Sequence, residues 1–161
     1  MPKKKTYSFE VLLHDSLAKL PKWDKELVEA ALIAKKGAYA PYSKFMVGAA
    51  VRMANGEIVF GSNQENASYP SGLCAERVAI FQAGARFPGM AIKAIAVTAS
   101  CEHNKVVQPV APCGNCRQAI NEYETKQESP IRLLLQGETD VIVECASVAD
   151  ILPLGFNASF L

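Results

Sequence analysis

Apolar residues recur at helical spacing over positions 8–20, with Ser8 placed to cap the segment and Pro21 to close it, so the pattern predicts a first helix there. Leu27, Val28, Ala31, Leu32 and Ala34 repeat every three to four residues, which predicts a second helix capped by Asp24 and ended by Gly37. Trp23 is expected to pack under it. Residues 47–53 and 57–62 have strand character, and the Ala54-Asn55-Gly56 connection contains the dipeptide that favours a tight hairpin turn. Helical composition returns over 75–85 and stops near Pro88-Gly89. Residues 92–99 form a nearly continuous apolar run, as a strand buried on both faces does, and a further helix is expected over about 113–123. Short strands over 131–136 and 141–144 flank Gly137, and Ser147 can cap a last helical turn before Leu152-Pro153. Two strand-then-helix units imply an α/β fold. The whole chain, 1–161, reads as one domain with 1–22 as an N-terminal helical extension.

Composition narrows what such a domain can do. The 161 residues carry 17 Lys and Arg against 16 Asp and Glu, a net charge of +1, so no broad positive field exists to hold a nucleic acid. The run Lys3-Lys4-Lys5 reads as a solvated tail, and the apolar stretch behind it ends after Leu13, too short for a secretion signal. No run of about eighteen apolar residues occurs, so no membrane span is expected. The five cysteines are an odd number, and two sit in Cys113-Gly-Asn-Cys116. Metal or redox chemistry in a reducing, cytoplasmic setting fits this better than a disulfide framework.

The chemistry concentrates in Cys74-Ala-Glu-Arg77 and Pro112-Cys-Gly-Asn-Cys-Arg117, each where a loop meets the start of an expected helix. Free N–H groups and the positive dipole end at such a place favour the thiolate, the form that binds metal. Cys74, Cys113 and Cys116 make three protein ligands, the count of a catalytic zinc site that leaves its fourth position for water. Cys101, Cys145, His14 and His103 sit in no paired motif, and core or surface roles are expected for them. Glu76 lies two residues after Cys74, close enough to reach a metal-bound water without ligating the metal. Three thiolates around Zn2+ leave a formal charge of −1, which Arg77 and Arg117 could offset by hydrogen bonding to the sulfurs. Alone, Cys113-Gly-Asn-Cys116 equally fits a redox dithiol at a helix start. With Cys74-Ala-Glu76 it matches the zinc deaminase signature, with Cys in place of His and 38 residues between Cys74 and Cys113.

Through these two motifs, together with Tyr42-Ser-Lys-Phe-Met-Val-Gly-Ala-Ala50 and Asn63-Gln-Glu-Asn-Ala-Ser-Tyr69, residues 24 to 156 resemble the small zinc-dependent cytidine deaminases. The resemblance implies a three-layer α/β/α sandwich with a five-stranded mixed sheet. It implies hydrolysis of cytidine or deoxycytidine to uridine or deoxyuridine and ammonia, with zinc hydroxide attacking C4 and Glu76 moving protons. Phe45 would lie against the pyrimidine, Asn63 and Glu65 would hold the sugar hydroxyls, and backbone groups at Ala75 would hold the base carbonyl. A homotetramer is implied in which Phe156 of one copy lines its neighbour's site. A modified or antibiotic cytosine nucleoside as substrate, or a non-catalytic zinc or dithiol binding module, remain the alternatives.

Overall fold

The computed structural model describes residues 2–161. Its elements in chain order are β1 (Val11–His14), α1 (Lys22–Lys35), β2 (Phe45–Met53), β3 (Ile58–Ser62), α2 (Ala75–Arg86), β4 (Ile92–Cys101), α3 (Gly114–Lys126), β5 (Arg132–Gln136) and β6 (Ile142–Cys145). The strands form one mixed sheet in the order β1-β6-β5-β4-β2-β3. Only β4 and β5 run parallel, as a pair joined across a helix must, and α3 is that crossover. β2 and β3 form the expected hairpin, with Gly56 at φ 89° supplying the left-handed position of the turn.

The alternation of side chains along each strand divides the core into two layers. Ala50, Ala94, Ala96, Leu134 and Ile142 face α1, where Leu27, Val28 and Ala31 cover them. Ala49, Val51, Ile95, Val97, Leu133 and Leu135 face the other way, against Ala75, Ala79, Ile80 and Ala83 of α2 and Ile120 of α3. The three-layer α/β/α arrangement is thus present. Two glycines let the helices lie close: a Cβ on Gly48 would meet the Ala31 carbonyl oxygen at 2.1 Å, and one on Gly61 the Ala75 carbonyl oxygen at 2.6 Å. The second approach fixes the first turn of α2 against β3.

Four expectations need correction. The sheet has six strands, not five, because Val11–His14 pairs antiparallel with β6 and adds an edge strand. The N-terminal extension is therefore not a helix over 8–20: its regular structure is β1 followed by a single 3-10 turn, Leu17–Lys19. Tyr7, Phe9, Val11 and Leu13 alternate with polar residues until Leu12, a strand period, and β6 offers a partner that local spacing cannot reveal. Trp23 is not packed under α1 but is 63% exposed, with the Arg52 guanidinium 5.0 Å from its ring centroid. Asp24 is not the cap of α1, a position taken by Pro21. Its carboxylate accepts two hydrogen bonds from Arg132, whose guanidinium also pairs with Glu144, and Glu144 in turn holds His14 at 2.8 Å. This chain of charges ties β1, β6, β5 and α1 together.

Candidate active site

Cys74 and Cys113 are the N-caps of α2 and α3, and Cys116 sits in the first turn of α3. The two helices lie on the same face of the sheet, which brings the starts of both to one place. There Cys74 Sγ and Cys113 Sγ are 3.9 Å apart and Cys113 Sγ and Cys116 Sγ 3.6 Å apart, with all three sulfurs within 4.8 Å of one another. Sulfurs on a tetrahedral zinc with bonds of about 2.3 Å stand about 3.8 Å apart, so the spacing and the soft donor set both fit that ion. Among the described residues no other group of three or more His, Cys, Asp or Glu is so placed, and Cys101, Cys145, His14 and His103 lie outside the cluster.

The electrostatics are those of a site that gathers negative charge. The Cys74 thiol is pulled down to about 5, chiefly by accepting a hydrogen bond from Cys116 and further by Arg77 and Cys113. Cys116, as the donor in that pair and buried, is pushed up. A divalent cation relieves this conflict by letting all three sulfurs ionise. Glu76, 5% exposed, has its carboxyl pushed up by burial and by the Cys74 charge. A carboxyl in that state can take a proton and return it. Arg77 hydrogen-bonds to a sulfur, its Nη2 donating to Cys74 Sγ at 3.9 Å. Arg117 does not: its Nε donates to the Pro112 carbonyl and its Nη1 to the Ile151 carbonyl, both at 2.7 Å, so it braces the backbone before Cys113. Arg77→Gln is expected to lower metal retention or kcat/KM by roughly ten- to a hundredfold, the usual cost of losing a partner of a metal ligand. An unchanged variant, by metal analysis and kinetics, would remove Arg77 from the site.

Beside the sulfurs opens a cavity of about 450 Å³, within the usual range for a small-molecule site. Cys74, Arg77, Asn63 and Glu65 form part of its lining. Asn63 is locked to β2, accepting from Val47 N at 2.8 Å and donating to the Phe45 carbonyl at 2.9 Å. Glu65 accepts from the backbone N–H groups of Tyr42 and Ser43 and from the Ser43 hydroxyl, and these bonds hold its carboxyl below the usual carboxylate range. Tyr42 and Tyr69, with ring centroids 6.3 Å apart, and Ser43 and Leu73 also line the cavity. None of the four had a role assigned from sequence, because single side chains scattered along loops carry no spacing signal. Phe45, at the start of β2, and Ala75, fully buried in the first turn of α2, are outside the cavity lining. Phe156 is 56% exposed, stacked on Phe160, and likewise outside its own chain's cavity.

The profile described as "Cytidine and deoxycytidylate deaminase zinc-binding region" matches residues 21–128, a span that holds all three sulfurs and Glu76. A cytidine deaminase of Halalkalibacterium halodurans is 41% identical over 135 residues, covering 82% of this chain and 92% of its own. The chain belongs to the cytidine deaminase family. As a cytidine deaminase family member it is an enzyme, and a cytidine deaminase of Sporosarcina psychrophila is 40% identical over 137 residues, covering 83% of this chain and 90% of its own. Among solved structures, the cytidine deaminase from Burkholderia pseudomallei superposes with a TM-score of 0.69 at 42% identity, covering 81% of this chain and 97% of the other. That from Mycobacterium tuberculosis gives 0.64 at 31% identity, covering 84% and 98%. The fold is thus the α/β fold of cytidine deaminases, with β1 lying ahead of the 21–128 span that the family profile matches. No helix among the described residues is long and apolar enough to cross a membrane.

Proposed function

We propose that the chain hydrolyses cytidine and deoxycytidine to uridine and deoxyuridine with release of ammonia, using one zinc ion held by Cys74, Cys113 and Cys116. The observation that carries this reading is the convergence of three sulfurs within 4.8 Å at a substrate-sized cavity, with the buried Glu76 carboxyl two residues from one of them. When bound, zinc supplies the Lewis acidity that makes water a nucleophile near neutral pH. Glu76 takes one proton from this water and delivers it to the pyrimidine N3, then takes the second from the hydroxyl added at C4 and passes it to the departing amine, which leaves as neutral ammonia while C4 becomes a carbonyl. Its burial favours the protonated form between the two transfers.

Specific binding falls to the remaining residues. Glu65 and Asn63 hold the sugar hydroxyls, with Glu65 anchored on the Tyr42–Ser43 backbone so that its carboxylate is already oriented. The Ala75 N–H, free at the first position of α2, holds the base carbonyl, and Phe45 lies along the pyrimidine face. The assembly is a homotetramer in which Phe156 of one copy lines the cavity of its neighbour. A reducing cytoplasm suits a site whose three thiols must stay unoxidised to bind metal.

Glu65 also sets the substrate class. A carboxylate in the wall of the cavity repels a phosphate, so cytidine is expected to be turned over at least tenfold more efficiently than its 5′-monophosphate, given that like-charge contact costs over about 1.4 kcal/mol. The ultraviolet change of metal-quantified protein on addition of each substrate measures both. Preference for the nucleotide would overturn the assignment of a free nucleoside, and a protein that carries zinc yet converts neither would overturn the reaction.

A further inference from the structure

Helix α3, which begins at Cys113 and carries Cys116, grips the C-terminal segment at three points. Arg117 Nη1 donates to the Ile151 carbonyl at 2.7 Å. Gln118 Nε2 and Asn121 Nδ2 both donate to the Phe156 carbonyl, at 2.9 and 3.0 Å. Gln118 and Asn121 are three residues apart and so share one helix face, and two donors saturate the two lone pairs of a carbonyl oxygen. Asn121 is 9% exposed, so its amide is spent inside the protein on this one contact.

What the grip holds is unusual. The backbone of Phe156 is fixed by two side-chain donors, yet the residue is 56% exposed, with its ring stacked on that of Phe160, itself 69% exposed, at 5.5 Å and 13°. Just before it Leu154 stands at φ 58°, a left-handed conformation that costs a leucine about 1–3 kcal/mol and persists only where its surroundings impose it. A segment held this firmly by its backbone, with its apolar rings left in water, is built to present those rings.

We infer that Gln118 and Asn121 are positioning residues for the deamination reaction: they set the Phe156 ring, backed by Phe160, at the angle at which it closes the substrate cavity of a neighbouring copy. The inference rests on the assembly proposed above, in which Phe156 reaches that cavity. Its consequence is that the helix bearing two metal ligands of one copy also sets the aromatic wall of another.

The test is a double-mutant cycle on the zinc-loaded protein. Gln118→Met and Asn121→Leu each keep roughly the side chain's shape and remove the donor. Each is made alone and in a Phe156→Ala background, with kinetics on cytidine, metal content, assembly mass and melting temperature recorded. Each donor variant is expected to raise KM about three- to tenfold, the effect of one lost hydrogen bond, with kcat within about twofold and zinc and assembly unchanged. In the Phe156→Ala background neither should raise KM further, because the residue through which they act is gone. Equal rises in both backgrounds, or no rise in the native background although Phe156→Ala itself raises KM, would overturn the positioning role alone. If Phe156→Ala leaves KM unchanged, the shared aromatic wall is wrong and the inference falls with it.

Discussion

Glu76→Gln is expected to yield a folded, metal-loaded protein whose kcat on cytidine is lower by roughly a thousandfold to ten-thousandfold, the upper range for removing a positioned proton carrier. Glutamine has the shape of glutamate, so the substitution opens no void at a position only 5% exposed. It also removes a buried charge beside the Cys74 thiolate, the neighbour that helps push the Glu76 carboxyl up, so stability should hold or rise. The three sulfurs keep their places, and zinc content should stay near one per chain. What glutamine cannot do is accept the proton from water and return it to the base. Kinetics by ultraviolet absorbance, with metal analysis of the same sample, separates these effects. Turnover within about tenfold of the native protein would take the proton-carrying role from Glu76, and loss of zinc would make it a ligand instead of a proton carrier.

The two halves of this site were legible to different degrees. The three cysteines and Glu76 could be placed because they sit where the sequence also starts a helix, so Cys74-Ala-Glu76 and Cys113-Gly-Asn-Cys116 coincide with the expected starts of α2 and α3. The β2–β3 hairpin was legible for a similar reason, since Asn55-Gly56 dictates its own turn. Arg117 was not, because its partners are backbone carbonyls at Pro112 and Ile151, and a carbonyl leaves no mark in a sequence. The same holds for the Phe156 carbonyl held by Gln118 and Asn121. At the N-terminus the failure was one of period: Leu12, Leu13, Leu17 and Leu20 mimic helical spacing, while the strand rhythm of Tyr7, Phe9, Val11 and Leu13 gains meaning only from the open edge of β6. Asp24 shows the same limit. Its local role as a cap lost to an ion pair with Arg132, 108 residues away, which no window along the chain could contain.

Cys116→Ala and Cys145→Ala remove a thiol from two buried positions, 0% and 1% exposed, and should nevertheless diverge completely in effect. Cys145 ends β6 opposite Val11 and Leu133, and burial pushes its thiol up, so it serves the core as a small neutral apolar group. Its replacement should cost about 1 kcal/mol and leave zinc content and kcat/KM as they were. Cys116 stands in the first turn of α3 with its sulfur 3.6 Å from that of Cys113, and without it only two sulfurs remain to hold the ion. A two-thiolate remnant lacks the three protein ligands of a catalytic zinc site, so metal content should fall from about one per chain to near zero and activity with it. The Glu76 carboxyl is still present in that variant, but no activated water reaches it, so the two substitutions abolish turnover for different reasons. Metal analysis tells them apart: Glu76→Gln stays loaded, Cys116→Ala does not. Full zinc retention in Cys116→Ala would mean that the ion is held elsewhere, and loss of zinc in Cys145→Ala would place a fourth sulfur in a site that the geometry gives only three.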